Sequence, residues 1–181
     1  LGGHLDAIVW RVTLDDDGEP LLYDTIHSCG CYHMFFPTPR AQRRPYEPAF
    51  EEPILVPARL RLRSPKGRIV IRVASGTHYI ENVRYGLNPD AEEHRIYSFA
   101  DDDDLRSLAW PGKGRRSLYR PDGIVPGSER GERYLYWPMG VREPGAMRQW
   151  GRHATAFVGR RHFDDPDLIE RYFAPAGSPL P

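Results

Sequence analysis

The stretch LDAIVWRVTLDDDGEPLLYDTIHSC, residues 5–29, decides the fold. Ile8, Trp10, Val12 and Leu14 recur at every second position, the period of a strand with one buried face. Asp15-Asp16-Asp17-Gly18 breaks the run, and residues 19–29 resume it. Glycine takes the left-handed conformation that closes a tight turn, so the stretch reads as a β-hairpin with a four-residue loop. In that register Leu14 faces Glu19, Trp10 faces Tyr23, Asp6 faces His27 and His4 faces Cys29.

The same grammar recurs further on. Ala58–Arg63 alternates Arg and Leu, Ser64-Pro65-Lys66-Gly67 turns, and Arg68–Ala74 returns. Placing Leu62 opposite Ile69 and Leu60 opposite Ile71 keeps the apolar residues on one face. Further strands are expected over 78–84, 95–99, 133–137 and 154–160. Residues 37–57 read as an ordered crossing loop and residues 111–132 as a long surface loop. Asp101–Asp104 suits the N-terminus of a short helix over 105–108. Asp165-Pro166-Asp167 opens a C-terminal helix over 167–173. The chain is therefore expected to be mainly β, an antiparallel sandwich or open barrel built from hairpins, with one short C-terminal helix. Residues 1–174 form one domain in this reading, and 175–181 a flexible tail.

Composition sets outer bounds. At 181 residues the chain suits a single domain, and 18 prolines with 17 glycines imply many turns and few long helices. No apolar run reaches the ~20 residues that span a bilayer, and no signal peptide is visible. Leu1 opens directly on a strand-like run, as in a processed product or part of a longer chain. Twenty-five basic residues balance 25 acidic ones, which argues against nonspecific nucleic-acid binding. Nearly all the basic residues are arginine, a bias that a GC-rich bacterial genome produces without any functional demand. Two cysteines are too few for a disulfide framework.

Chemistry concentrates in His27-Ser28-Cys29-Gly30-Cys31-Tyr32-His33. Histidine, cysteine, cysteine and histidine stand at alternate positions, and imidazole and thiolate are ligands for zinc, copper or iron. A straight strand would put residues 27 and 33 about 20 Å apart at ~3.3 Å per residue, too far for one ion, so Gly30 has to bend the chain. In the hairpin register His4, Asp6, His27 and Cys29 share one patch. The expected metal set is thus His27, Cys29 and His33, then Cys31, His4 and Asp6, with Asp6 as ligand or as hydrogen-bond partner to a ligand. An open coordination position would allow hydrolytic or redox chemistry, and a closed set would be a structural staple. Two other readings compete: a packed segment without metal, and thiol–disulfide exchange between Cys29 and Cys31.

The rival function is a binding module. Arg59, Arg61, Arg63, Arg68 and Arg72 line the outer face of the second hairpin, with Arg63 opposite Arg68 and Arg59 opposite Arg72. Facing like charges call for an acidic cover, supplied by the same chain, an acidic partner or an anionic ligand. His153 and His162 flank a strand-like stretch, and Arg160-Arg161-His162 is a possible anion contact. No phosphate loop, nucleophile elbow or nucleotide fingerprint is present.

Overall fold

A computed structural model describes residues 7–47, 49, 53–61, 67–86, 98–131, 133–136, 148–151 and 161–180. The expected hairpin is there: β1 (Ile8–Leu14) pairs antiparallel with β2 (Pro20–His27), and β2 pairs with β3 (Met34–Pro37). Gly18, at φ +80°, closes the first turn, and Asp15 Oδ1 accepts from the Asp17 and Glu19 amides at 3.0 Å each. Arg40 ties Asp15 and Asp17 from outside.

The register differs from the sequence reading by two residues. Leu14 faces Pro20 and Thr13 faces Leu22, with the ladder irregular between them. Pro20 has no amide to donate, and the turn closes on Asp15 N–H to the Glu19 carbonyl at 2.9 Å. Trp10 therefore faces Thr25, and His27 faces Ile8 rather than Asp6. A shift of two preserves the faces. The Trp10 and Tyr23 rings still stack, diagonally, at 5.6 Å.

Every residue of β2 from Leu21 to His27 is buried, because both faces of this three-stranded sheet are covered. One face carries Leu22 and Phe35. It packs against Ile54, the C-terminal helix α2 (Leu168–Tyr172) and Phe173. The other face carries Tyr23, Met34 and Phe36, and packs against Leu60 and a second hairpin, β5 (Arg68–Val73) with β6 (Ile80–Gly86). Two antiparallel hairpin sheets thus lie face to face, with the C-terminal helix on the far side. Among the described residues no sheet closes into a barrel.

The second hairpin corrects the sequence reading. Arg68–Val73 was expected to pair with 58–63; its partner is Ile80–Gly86. Arg72 faces Asn82, not Arg59, and Leu60 instead donates its amide to the Pro37 carbonyl at 2.9 Å. The shared apolar face survives: Leu60, Ile69 and Ile71 do belong to one cluster. A six-residue connection (74–79) closes β5 onto β6 through the left-handed His78, at φ +54°.

A short pair, β4 (Ala41–Arg43) with β9 (Phe173–Pro175), links the crossing loop to the C-terminus. Beyond β9 the Ala176 amide donates to the Arg40 carbonyl at 2.6 Å, and Gln42 Nε2 to the Ser178 carbonyl at 2.6 Å. Asp101 caps a 3-10 helix over Asp102–Arg106 rather than over the expected 105–108: the acidic run itself forms the turn, and Leu108 already opens a strand. The surface loop expected over 111–132 opens as the turn and second strand of a hairpin, β7 (Leu108–Trp110) with β8 (Gly114–Arg116). Residues 133–136 form one helical turn, α1, rather than the expected strand. Tyr134 and Leu135 are both about 70 % exposed there, so no neighbouring sheet rewards their strand preference. Residues 99 and 98 are not strand, and 95–97 and 154–160 lie outside the described residues.

Phe35 is fully buried and touches the helix layer through Tyr172 and Phe173, with ring centroids 6.2 and 5.5 Å away. Phe35→Ala is expected to cost about 3–5 kcal/mol, read as a lowered midpoint in urea unfolding.

Candidate functional site

Asp24 is the anomaly of β2. It stands between Leu22 and Ile26 on the helix-covered face and is fully buried. A buried carboxylate has to be paired, and here the cross-strand neighbour supplies the charge. Arg11, directly opposite on β1, donates from Nε to Oδ1 at 2.8 Å and from Nη2 to Oδ2 at 2.6 Å. This is the bidentate geometry that strengthens a guanidinium–carboxylate pair. The remaining Arg11 nitrogen, Nη1, donates to the Phe163 carbonyl, and the guanidinium lies 4.0 Å over the Phe163 ring.

The second partner of Asp24 is His33, whose Nε2 lies 3.0 Å from Oδ2. An ionised carboxylate only accepts, so Nε2 carries the hydrogen. The ring is buried, 4.4 Å from Phe35 and 5.4 Å from Phe163, centroid to centroid. Burial pushes the His33 imidazolium below its ordinary range. The positive charges of Arg161 and Arg11 add to the shift, against the opposing pull of Asp24. His33 is therefore a neutral imidazole at pH 7, with its lone pair on Nδ1. That atom is buried and has no hydrogen-bond partner among the described residues.

Local sequence explains how His33 arrives there. Gly30, at φ +84°, closes a turn in which its amide bonds to the His27 carbonyl at 2.8 Å. The His27 amide then bonds to the Cys31 carbonyl at 3.0 Å. Gly30 does bend the chain, as the ligand spacing demanded. The bend reverses the strand, however, rather than wrapping the four side chains around one point. His33 joins Asp24 and Phe35 on the helix-covered face. His27, three residues from Asp24 on the same strand, points to the other. There its ring lies 5.5 Å from both Tyr32 and Tyr79, whose own centroids are 4.7 Å apart. Cys29 and Cys31 are half-buried and in no disulfide.

Among the described residues no three His, Cys, Asp or Glu side chains converge as a metal-ligand group. His4 and Asp6 lie outside the described residues, as do Arg63 and His153. The arginine face is partly engaged within the chain. Arg59 Nη2 donates to the Ala41 carbonyl at 2.6 Å, and Arg72 Nε pairs with Glu81 at 2.9 Å on the surface. Arg61 and Arg68 are exposed. Arg161 is buried, and Arg160 lies outside the described residues.

Sequence reasoning passed over Arg11 and Asp24. Each is a lone charge within an apolar strand, which was the available signal. A register wrong by two set Arg11 against Leu22 and hid the pairing. No family model, curated protein or solved structure matches the chain.

Two expectations follow. Arg11→Met leaves the buried Asp24 carboxylate with only a neutral histidine, and is expected to cost about 3–5 kcal/mol in chemical unfolding. Because the folded state disfavours protonated His33, the unfolded chain binds the extra proton, at about pH 6.5. The His33 contribution to stability is full above that pH and falls as pH drops below it. Urea midpoints between pH 5 and 8 should therefore rise with pH more steeply in the parent than in His33→Gln.

Proposed function

We propose that the chain works through His33, a neutral imidazole oriented by Asp24 whose Nδ1 lone pair is the reactive group. One observation carries this reading. Nδ1 is buried without a hydrogen-bond partner among the described residues, while Nε2 is fixed on a carboxylate that Arg11 itself holds. A buried polar atom left unpaired costs about 1–3 kcal/mol, and such atoms in a folded chain call for an explanation. An imidazole anchored at one nitrogen and bare at the other is the arrangement of a general base. Its depressed affinity for protons keeps it in the basic form at neutral pH. The reaction class this fits is proton abstraction or activation of water for hydrolysis.

The same geometry favours one second reading, a transition-metal ligand. Metal-bound imidazoles commonly give their other N–H to a carboxylate, which is what His33 does with Asp24. Zinc, copper or iron at Nδ1 would then draw its remaining ligands from elsewhere, His4 and Asp6 being the sequence's candidates. The rival anion-binding module has weaker support, since Arg59 and Arg72 already have partners in the chain.

Long-range nitrogen–proton NMR is expected to find His33 protonated at Nε2 and bare at Nδ1 at pH 7. In a screen of ester and phosphoester substrates, His33→Gln is expected to lower any turnover by about 10²–10⁴-fold. Unchanged turnover in that variant would sink the general-base reading. Elemental analysis separates the two roles: a stoichiometric metal that disappears in His33→Gln selects the ligand role.

A further inference from the structure

A base that works through His33 Nδ1 has to be uncovered first, because the atom is buried. Two aromatic rings pack on the imidazole, Phe35 at 4.4 Å and Phe163 at 5.4 Å between centroids. They are held differently. Phe35 belongs to β3, pairs with Asp24 across the ladder and packs on Tyr172 and Phe173. It cannot leave without opening the sheet. Phe163 lies in the turn that precedes α2, outside every strand and helix, where the Asp165 amide bonds to the His162 carbonyl at 3.3 Å. Arg11 holds it twice, through Nη1 to its carbonyl and by the guanidinium 4.0 Å over its ring. Arg11 is also where the cluster meets water. Its side chain is 27 % exposed, against 0 % for Asp24 and 1 % for His33.

We infer that Phe163 is the gate of the His33 site, and that the ligand it admits carries an oxyanion, which takes the place of the Phe163 carbonyl on Arg11 Nη1. This deepens the His33 reading and rests on it for its purpose, but the movement itself can be measured without turnover. When the turn swings out, Nη1 loses its acceptor while Nε and Nη2 stay on Asp24. A guanidinium bonds more strongly to an anionic oxygen than to a carbonyl, so an oxyanion competes for Nη1 where a neutral molecule does not. That difference in affinity is what shifts the equilibrium toward the open form. The same movement clears the Phe163 ring from His33 and bares the flat face of the guanidinium, on which the ligand's apolar part can lie. No covalent bond is made or broken, and Asp24 keeps both of its partners throughout.

The test follows the Phe163 ring by fluorine NMR in protein labelled with para-fluorophenylalanine, with Phe163→Leu assigning its signal. Benzoate and inorganic phosphate are the probes. At least one should move the Phe163 signal saturably to the position of an exposed ring while the Phe35 signal stays; benzyl alcohol should move neither. Acylation of His33 by diethyl pyrocarbonate, read by peptide mass spectrometry, should be at least about 10-fold faster in Phe163→Ala, because the local opening no longer has to occur first. His27, buried on the other face, should keep its parent rate, which separates gate loss from general unfolding. A Phe163 signal that neither anion moves, an equal response to benzyl alcohol, or joint movement of Phe35 would overturn the gate. Parent-like acylation of His33 in Phe163→Ala, or equal acceleration of His27, would do the same. Unchanged turnover in His33→Gln bears on the base alone.

Discussion

The Asp24 carboxylate is the constraint around which the sheet is organised. It sits on the central strand, under a helix, where an unpaired charge would cost more than the fold has to spare. Its two oxygens are claimed from opposite directions: Arg11 reaches both across the β1–β2 ladder, and His33 reaches Oδ2 from the segment that leads into β3. The pair therefore fixes more than a contact. A one-residue slip of β1 would turn Arg11 to the other face and leave Asp24 bare, so electrostatics and apolar burial specify the same register. Through Phe163 the guanidinium also anchors the segment just before α2. Strand pairing, the helix layer and the orientation of His33 thus share one ion pair.

Much of the fold was readable because burial leaves a period in the sequence. Ile8, Trp10 and Val12 alternate, the Asp15–Gly18 turn closes where glycine permits, and Asp167 precedes the C-terminal helix. What escaped was pairing that periodicity does not encode. Sequences that alternate in the same phase fit several registers two residues apart. Only Pro20's missing amide and the Asp15 side chain decided between them. Likewise Arg68–Val73 carries an apolar face that would suit either neighbour. The partner it takes, Ile80–Gly86, is joined by a turn built on a left-handed histidine, which no propensity would suggest.

The His27–His33 segment failed as a single site for a related reason. Alternate positions share a face only while the backbone stays extended. Gly30 and Tyr32 are both left-handed, so the phase is broken twice within seven residues. The sequence pattern singled out this segment, and a strand reversal divides its side chains between two faces. The imidazole that meets a carboxylate goes to the helix-covered, apolar side; the His27 ring stays on the other, against Tyr32 and Tyr79. The dry environment strengthens the hydrogen bond that orients the His33 imidazole and lowers the ring's affinity for protons.

Arginine's predominance over lysine also acquires a structural meaning, whatever the origin of the bias. Arg11 occupies two carboxylate oxygens and one carbonyl while stacking on a ring; Arg40 joins two aspartates of one turn. Arg106 lies 4.3 Å over Trp150, and Arg116 lies 4.5 Å over Trp110. Each use needs a planar fork or a flat cation. Lysine, a single strongly hydrated ammonium, offers neither geometry. In a chain with many prolines, many glycines and short strands, loops have little ladder bonding of their own. Guanidinium forks supply the cross-links that longer strands would otherwise provide. At position 11 that same fork also places the carboxylate that orients His33.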